Sequence, residues 1–330
     1  MAKDKKMLKD TYGRTIHYLR ISVTDRCNLR CRYCMPDGIE QMPMADILRY
    51  EEIAFVCAQA AALGIDRYRI TGGEPLVRRD CPALIAMLKK IPGVRQVSMT
   101  TNGVLLAEHL EALLAAGLDA VNISLDTTDR EQYRAITGTD ELERVLASIS
   151  LAAGKLPVKV NCVALRGINE DAPAQLALMA KEAPVDVRFI ELMPLGAARG
   201  LEMVPNAEVL RMIEKAYGPT TEEPGGRDCG PAVYRRVPGF AGRIGFISPM
   251  HGKFCGTCNR LRLTSTGDLK PCLCYADAVP LREILRSGET DRAERIREKI
   301  REAAQMKPEA HCFEQAEAVT EKRVMSQIGG

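Results

Sequence analysis

Between about residue 16 and residue 193, short β-branched runs alternate with longer helix-period segments, and nothing else in the chain constrains its fold as tightly. The runs are Leu19–Val23, Tyr68–Thr71, Gln96–Thr100, Ala120–Leu125, Val158–Ala164 and Val185–Leu192. Between them lie the amphipathic stretches Glu51–Leu63, Cys81–Lys90, Val104–Ala116, Glu141–Ala153 and Ala174–Glu182. Strands joined through helices run parallel, with right-handed crossovers. Gly64, Gly117 and Gly154 end three of the helices, where left-handed caps are expected. Six units fall short of the eight that close a barrel. The expected fold class is α/β, with a curved partial barrel favoured over an open doubly wound sheet. Periodicity alone does not separate the two.

After Pro194 the alternation stops. A Gly/Ala-rich turn, a helix near Ala207–Tyr217, a loop at Thr220–Pro231 and a charged helical segment at Arg282–Gln305 follow. The expected division is residues 1–195 and 196–330, with one cavity shared between the parts. The net charge of +3 over 330 residues is too small to argue for nucleic acid or a membrane surface, but permits a local basic pocket. Met1–Lys9 lacks the apolar core of a secretory signal, and Ile53–Ile65 is too short to span a bilayer. A cytoplasmic location is expected. Twelve cysteines then argue for metal ligation rather than a disulfide framework.

Six of those cysteines form two triplets. Cys27, Cys31 and Cys34 stand in C-x-x-x-C-x-x-C directly after the first strand, at the end where parallel α/β folds place chemistry. Cys255, Cys258 and Cys272 form the second. Each offers three thiolates where a closed site takes four, so an iron–sulfur cluster held this way keeps one iron open. On spacing alone either set also suits zinc with a borrowed ligand, the second from Cys274, Cys229 or His251. Thr71-Gly72-Gly73-Glu74-Pro75 is a glycine turn whose bare backbone admits a close ligand. A strand through Asn259–Thr264 places Arg260 and Arg262 on one face, and guanidinium forks match phosphate oxygens.

The first triplet with the glycine turn resembles the radical S-adenosylmethionine superfamily. The order of further blocks is similar to the molybdenum cofactor biosynthesis protein A family, the GTP 3′,8-cyclases. These are Leu19–Asp25, Arg69–Pro75 with Arg78-Arg79-Asp80, Thr100–Gly103, Asn122–Asp126, Lys159–Asn161, Phe189–Met193, Arg260-Leu261-Arg262 and Gly329-Gly330. The resemblance implies a partial (βα)6 TIM-like barrel of the radical SAM type, with a C-terminal Fe–S domain closing the barrel mouth.

It also implies two [4Fe–4S] clusters, one on Cys27, Cys31 and Cys34 and one on Cys255, Cys258 and Cys272. S-adenosylmethionine contacts fall on Tyr33, Gly73, Ser124 and Met193. GTP contacts fall on Arg20, Arg69, Thr100, Lys159, Arg260, Leu261 and Arg262. Catalytic roles fall on Arg260, Arg262, Gly329 and Gly330. The implied reaction takes the ribose C3′ hydrogen of GTP with a 5′-deoxyadenosyl radical and gives (8S)-3′,8-cyclo-7,8-dihydroguanosine 5′-triphosphate. An unidentified reductant and a downstream cyclic pyranopterin monophosphate synthase are the implied partners, with monomer and homodimer both open. The rivals are a radical SAM enzyme that modifies peptides and, in a different class, a zinc-stabilised RNA-binding module. Six Phe, nine Tyr and no Trp argue against a base-stacking surface.

Overall fold

The computed structural model describes residues 7–40, 42–224 and 230–329; Cys229 and Gly330 lie outside the described residues. Six strands alternate with helices: β1 (Tyr18–Ser22), β2 (Arg67–Thr71), β3 (Gln96–Thr101), β4 (Ala120–Ser124), β5 (Val158–Cys162) and β6 (Val185–Ile190). The helices between them are α1 (Tyr50–Ala62), α2 (Cys81–Lys89), α3 (Leu106–Ala115), α4 (Arg130–Thr137), α5 (Leu142–Ala153) and α6 (Ala172–Glu182). Then come α7 (Asn206–Tyr217), β7 (Thr221–Glu223), β8 (Val233–Arg236), β9 (Ile244–Ile247), β10 (Arg260–Leu263), β11 (Asp268–Lys270) and β12 (Val279–Pro280). The last helices are α8 (Arg282–Arg286), α9 (Arg292–Gln305) and α10 (Met325–Ile328).

All twelve strands share one open sheet, ordered β12-β11-β10-β1-β2-β3-β4-β5-β6-β9-β8-β7. From β10 through β1–β6 to β9 every pairing is parallel. Antiparallel strands flank this run on both sides. The sheet therefore continues across residue 195, because β10 adds to β1 and β9 adds to β6.

One face of the sheet is apolar. Leu19, Tyr68 and Val97 occupy one register row and Ile21, Ile70, Met99 and Val121 another, all buried in the main core. The alternation of strand side chains sends the intervening residues to the opposite face. Parallel sheets are normally apolar on both faces. Here the second face is polar and cationic, as an interior surface that holds a ligand requires.

Strand positions match the sequence reading closely, while three local expectations need correction. Gly154 takes right-handed geometry at φ −85°, whereas Gly64 and Gly117 have the expected positive φ. Helix α4 was not anticipated, being short and polar with buried Tyr133 and Ile136 on one side. The charged segment is two helices, separated by a turn in which Gly288 has φ +71°.

Candidate active site

The cationic face is built by register. Arg20 on β1 pairs across the sheet with Arg262 on β10 and Arg69 on β2, so three guanidinium groups sit side by side. One step along, Thr100, Asn122 and Lys159 form a row across β3, β4 and β5. Burial lowers the Arg20 pKa well below the usual arginine range, and repulsion from Arg262, Arg69 and Arg260 adds to the effect. Burial and Arg260 likewise bring Arg262 down to about 10. Crowding like charges inside a protein is unfavourable until an anion joins them. The side-chain Oγ1 of Thr100 and Nδ2 of Asn122 are buried without a hydrogen-bond partner. Such atoms are rare in folded proteins and mark a site shaped for a further group.

Strand direction separates the two triplets. Cys27 follows the carboxyl end of β1, whereas Cys258 precedes the amino end of β10, which runs parallel to β1. Strand β11 runs antiparallel to β10, with Lys270 opposite Arg262, and so brings Cys272 back beside Cys258. The thiol sets thus stand at opposite rims of the sheet, separated along it by about 20 Å at the usual rise per residue. The arginine row lies between them.

Around the first triplet, burial pushes all three thiols up, Cys34 to about 12. After burial, Asp126 and the other two thiols raise Cys31 further, and Cys27 raises Cys34. Leu29 N–H donates to Cys27 Sγ at 3.4 Å, and Asn102 Nδ2 donates at 3.8 Å. Three crowded thiols become favourable as thiolates when metal binds them. At the second triplet, Arg260 and Lys307 outweigh burial and bring Cys258 down to about 6. His311 holds Cys255 below the usual thiol range against burial, while burial raises Cys272. Both donor sets fit a cluster with soft, thiolate-bound iron. Among the described residues no three His, Cys, Asp or Glu groups converge on a single ion. A four-iron cube binds each thiolate through a different iron.

The remaining expected residues separate into distinct environments. Tyr33 and Ser124 line one cavity with Cys31, Asn102 and Asp126, and the Tyr33 hydroxyl donates to Asp126 Oδ2 at 2.6 Å. Gly73 packs against the cysteine loop, where an added Cβ would lie 2.4 Å from the Arg26 carbonyl oxygen. Met193 is packed on a small second core, as are Cys272 and Met325. Leu261 buries its side chain in the outer core opposite Leu19, leaving only its backbone to the cationic face. Gly329 lies inside the barrel near Ser22 and Thr71, and its carbonyl accepts from Arg262 Nη1 at 2.5 Å. Of the zinc-completing alternatives, Cys274 Sγ faces Cys312 Sγ at 3.3 Å and His251 Nδ1 lies 2.8 Å from Glu191 Oε1.

The sequence reading missed Arg188. It is buried on β6 and donates from Nε and Nη2 to Asn161 Oδ1 at 2.9 and 2.6 Å. Its neighbour across the sheet is Gly245, where a side chain would collide with Arg188 and Tyr234. The alternation of Arg188 with Val187 and Phe189 was the available signal.

An open-cornered cysteine triplet at the carboxyl rim of a parallel α/β sheet is the arrangement of radical SAM proteins, and residues 21–180 match the model of the Radical SAM superfamily. Residues 185–313 match Molybdenum Cofactor Synthesis C. The chain is similar to SuiB of Streptococcus suis, crystallised with S-adenosylmethionine (TM-score 0.64, 14% identity, 95% of this chain and 77% of that one). It is also similar to native anSMEcpe with bound AdoMet (TM-score 0.57, 15% identity, 91% and 94%). These likenesses establish the fold as a partial TIM-like barrel.

Sequence relatives are more specific. The GTP 3′,8-cyclase of Moorella thermoacetica is 46% identical, the match covering 98% of this chain and 100% of that protein. Those of Pelotomaculum thermopropionicum and Clostridium perfringens are 45% and 42% identical over the same shares. The chain belongs to the GTP 3′,8-cyclase family.

Proposed function

We propose that the cationic face holds the triphosphate of GTP between two [4Fe–4S] clusters, and that the chain cyclises GTP to (8S)-3′,8-cyclo-7,8-dihydroguanosine 5′-triphosphate. One observation carries this reading: the Arg262–Arg20–Arg69 row lies between two thiol triplets at opposite rims. Cys27, Cys31 and Cys34 would hold the first cluster, and Cys255, Cys258 and Cys272 would hold the second. When bound, the first cluster and S-adenosylmethionine supply a 5′-deoxyadenosyl radical that takes the ribose C3′ hydrogen.

The chain's own groups bind and orient. Tyr33, Gly73, Ser124 and Met193 receive S-adenosylmethionine. Arg20, Arg69, Thr100, Lys159, Arg260, the Leu261 backbone and Arg262 receive GTP through charge-assisted bonds. Holding ribose and purine together lowers the entropic barrier to ring closure. Arg262, bonded to the Gly329 carbonyl, couples Gly329 to the site.

Residues 1–195 act as the barrel and 196–330 as a second unit that covers its mouth. The product passes to a cyclic pyranopterin monophosphate synthase, and electrons come from a reductant in the cytoplasm. No helix among the described residues is long and apolar enough to cross a membrane. Anaerobically reconstituted protein given dithionite, S-adenosylmethionine and GTP is expected to form the cyclised nucleotide. Turnover of a peptide with GTP left intact would instead support the peptide-modifying rival.

A further inference from the structure

Behind the second triplet runs Lys307–His311, a segment to which the functional reading gives no task. Lys307 follows α9 and is only 4% exposed. Its Nζ donates to the carbonyl oxygens of Arg260 and Pro271, both at 3.0 Å. One acceptor lies two residues after Cys258 and the other immediately before Cys272. Among the described residues no carboxylate pairs with Lys307, and the negative groups its charge favours are Cys258 and Cys272.

A buried cation without a counter-charge is strongly unfavourable. A [4Fe–4S] cube with three thiolates is a net anion, and reduction makes it more negative. Charge and hydrogen bonds near the sulfurs set such a cluster's potential.

The rest of the segment is held rigidly. Arg14 Nη1 donates to the carbonyls of Cys255 and Glu309 at 2.8 and 2.9 Å, and Nη2 donates to Pro308 at 2.6 Å. Asp10 fixes the same guanidinium at 2.5 Å. His311 Nε2 donates to the Pro249 carbonyl at 2.8 Å. Every backbone segment that carries a cysteine of the second triplet is therefore tied to this segment.

We propose that Lys307 is a positioning residue of the second cluster: its amine fixes the spacing of the Cys258 and Cys272 segments, and its charge stabilises the reduced cluster. This rests on the two-cluster reading above. The charge term predicts that removing the cation drives the second cluster's midpoint more negative and leaves the first unchanged.

The test compares wild type, Lys307→Met and Lys307→Arg as full-length, anaerobically reconstituted chains. Iron is counted, and both midpoints are read by EPR-monitored titration. The first cluster is recognised by its spectral change on adding S-adenosylmethionine. Expected are about eight irons in wild type, a more negative second midpoint in Lys307→Met, and its recovery in Lys307→Arg. If Lys307→Met loses the second cluster and falls to about four irons, recovery of the count by Lys307→Arg supports the same assignment. Unchanged iron and midpoints in Lys307→Met overturn it, as does equal loss of the second cluster in both variants. Wild type holding only about four irons would overturn the two-cluster reading itself, a failure seen before either variant is compared.

Discussion

Arg262 belongs to two networks at once. It is one of the crowded guanidinium groups of the cationic row, and its Nη1 holds the Gly329 carbonyl. If Arg262 receives the triphosphate as proposed, replacing it with alanine removes one charge-assisted bond, a loss of about 1.5–3 kcal/mol, or roughly ten- to a hundredfold in GTP affinity. Cyclisation in Arg262→Ala is expected to fall below detection, while uncoupled cleavage of S-adenosylmethionine continues, since the first triplet lies at the other rim. Calorimetric titration of GTP and chromatographic detection of 5′-deoxyadenosine check the two halves; unchanged affinity with unchanged cyclisation contradicts the assignment.

At this scale the cysteines were readable from their spacing, and Arg260 and Arg262 from their alternation with leucines. Lys307 was not. It lies outside any strand, and only the fold brings it beneath cysteines 49 and 35 residues earlier in the chain (307 minus 258 and 272). Gly73 was legible as a required glycine, but the close neighbour proved to be the Arg26 carbonyl of the cysteine loop.

Among the elements, β11 and the segment before α10 depend on one buried ion pair. Lys270 Nζ and Glu321 Oε2 lie 2.5 Å apart with both side chains almost wholly enclosed, and Arg323 also binds Glu321. Lys270→Met removes the more deeply buried of the two cations that hold Glu321 and leaves Arg323 in place, so it is expected to destabilise the fold by about 1–3 kcal/mol. Lys270→Met with Glu321→Leu recovers most of that loss, because neither charge is then buried alone. Urea unfolding of wild type and both variants checks this; a single variant as stable as wild type, or a double variant no more stable than the single one, contradicts it.

Element boundaries were legible where periodicity was strong, as in α1 and β5. They were obscure where polar sequence hid the signal. In α4, Asp129 caps the helix by accepting from Gln132 N–H at 2.8 Å, and Gly138 ends it at φ +75°, yet eight mostly polar residues show little periodicity. The strand order β10-β1 was not readable at all, because it joins segments more than two hundred residues apart.

For the molecule as a whole, the parallel run from β10 to β9 draws strands from both halves of the sequence into one sheet. The alternation before Pro194 announced six units; the later strands that extend them carry too little periodicity to be placed by inspection. Their placement aligns Arg262 with Arg20 and sets the second triplet opposite the first. In the function proposed, a radical generated at one rim acts on a nucleotide held on the cationic face. Anaerobic turnover of GTP carrying deuterium at ribose C3′, with S-adenosylmethionine and dithionite, tests it directly by mass spectrometry. Deuterium is expected in 5′-deoxyadenosine, together with a 3′,8-cyclised nucleotide. Unlabelled 5′-deoxyadenosine, with the deuterium still on intact GTP, would contradict it.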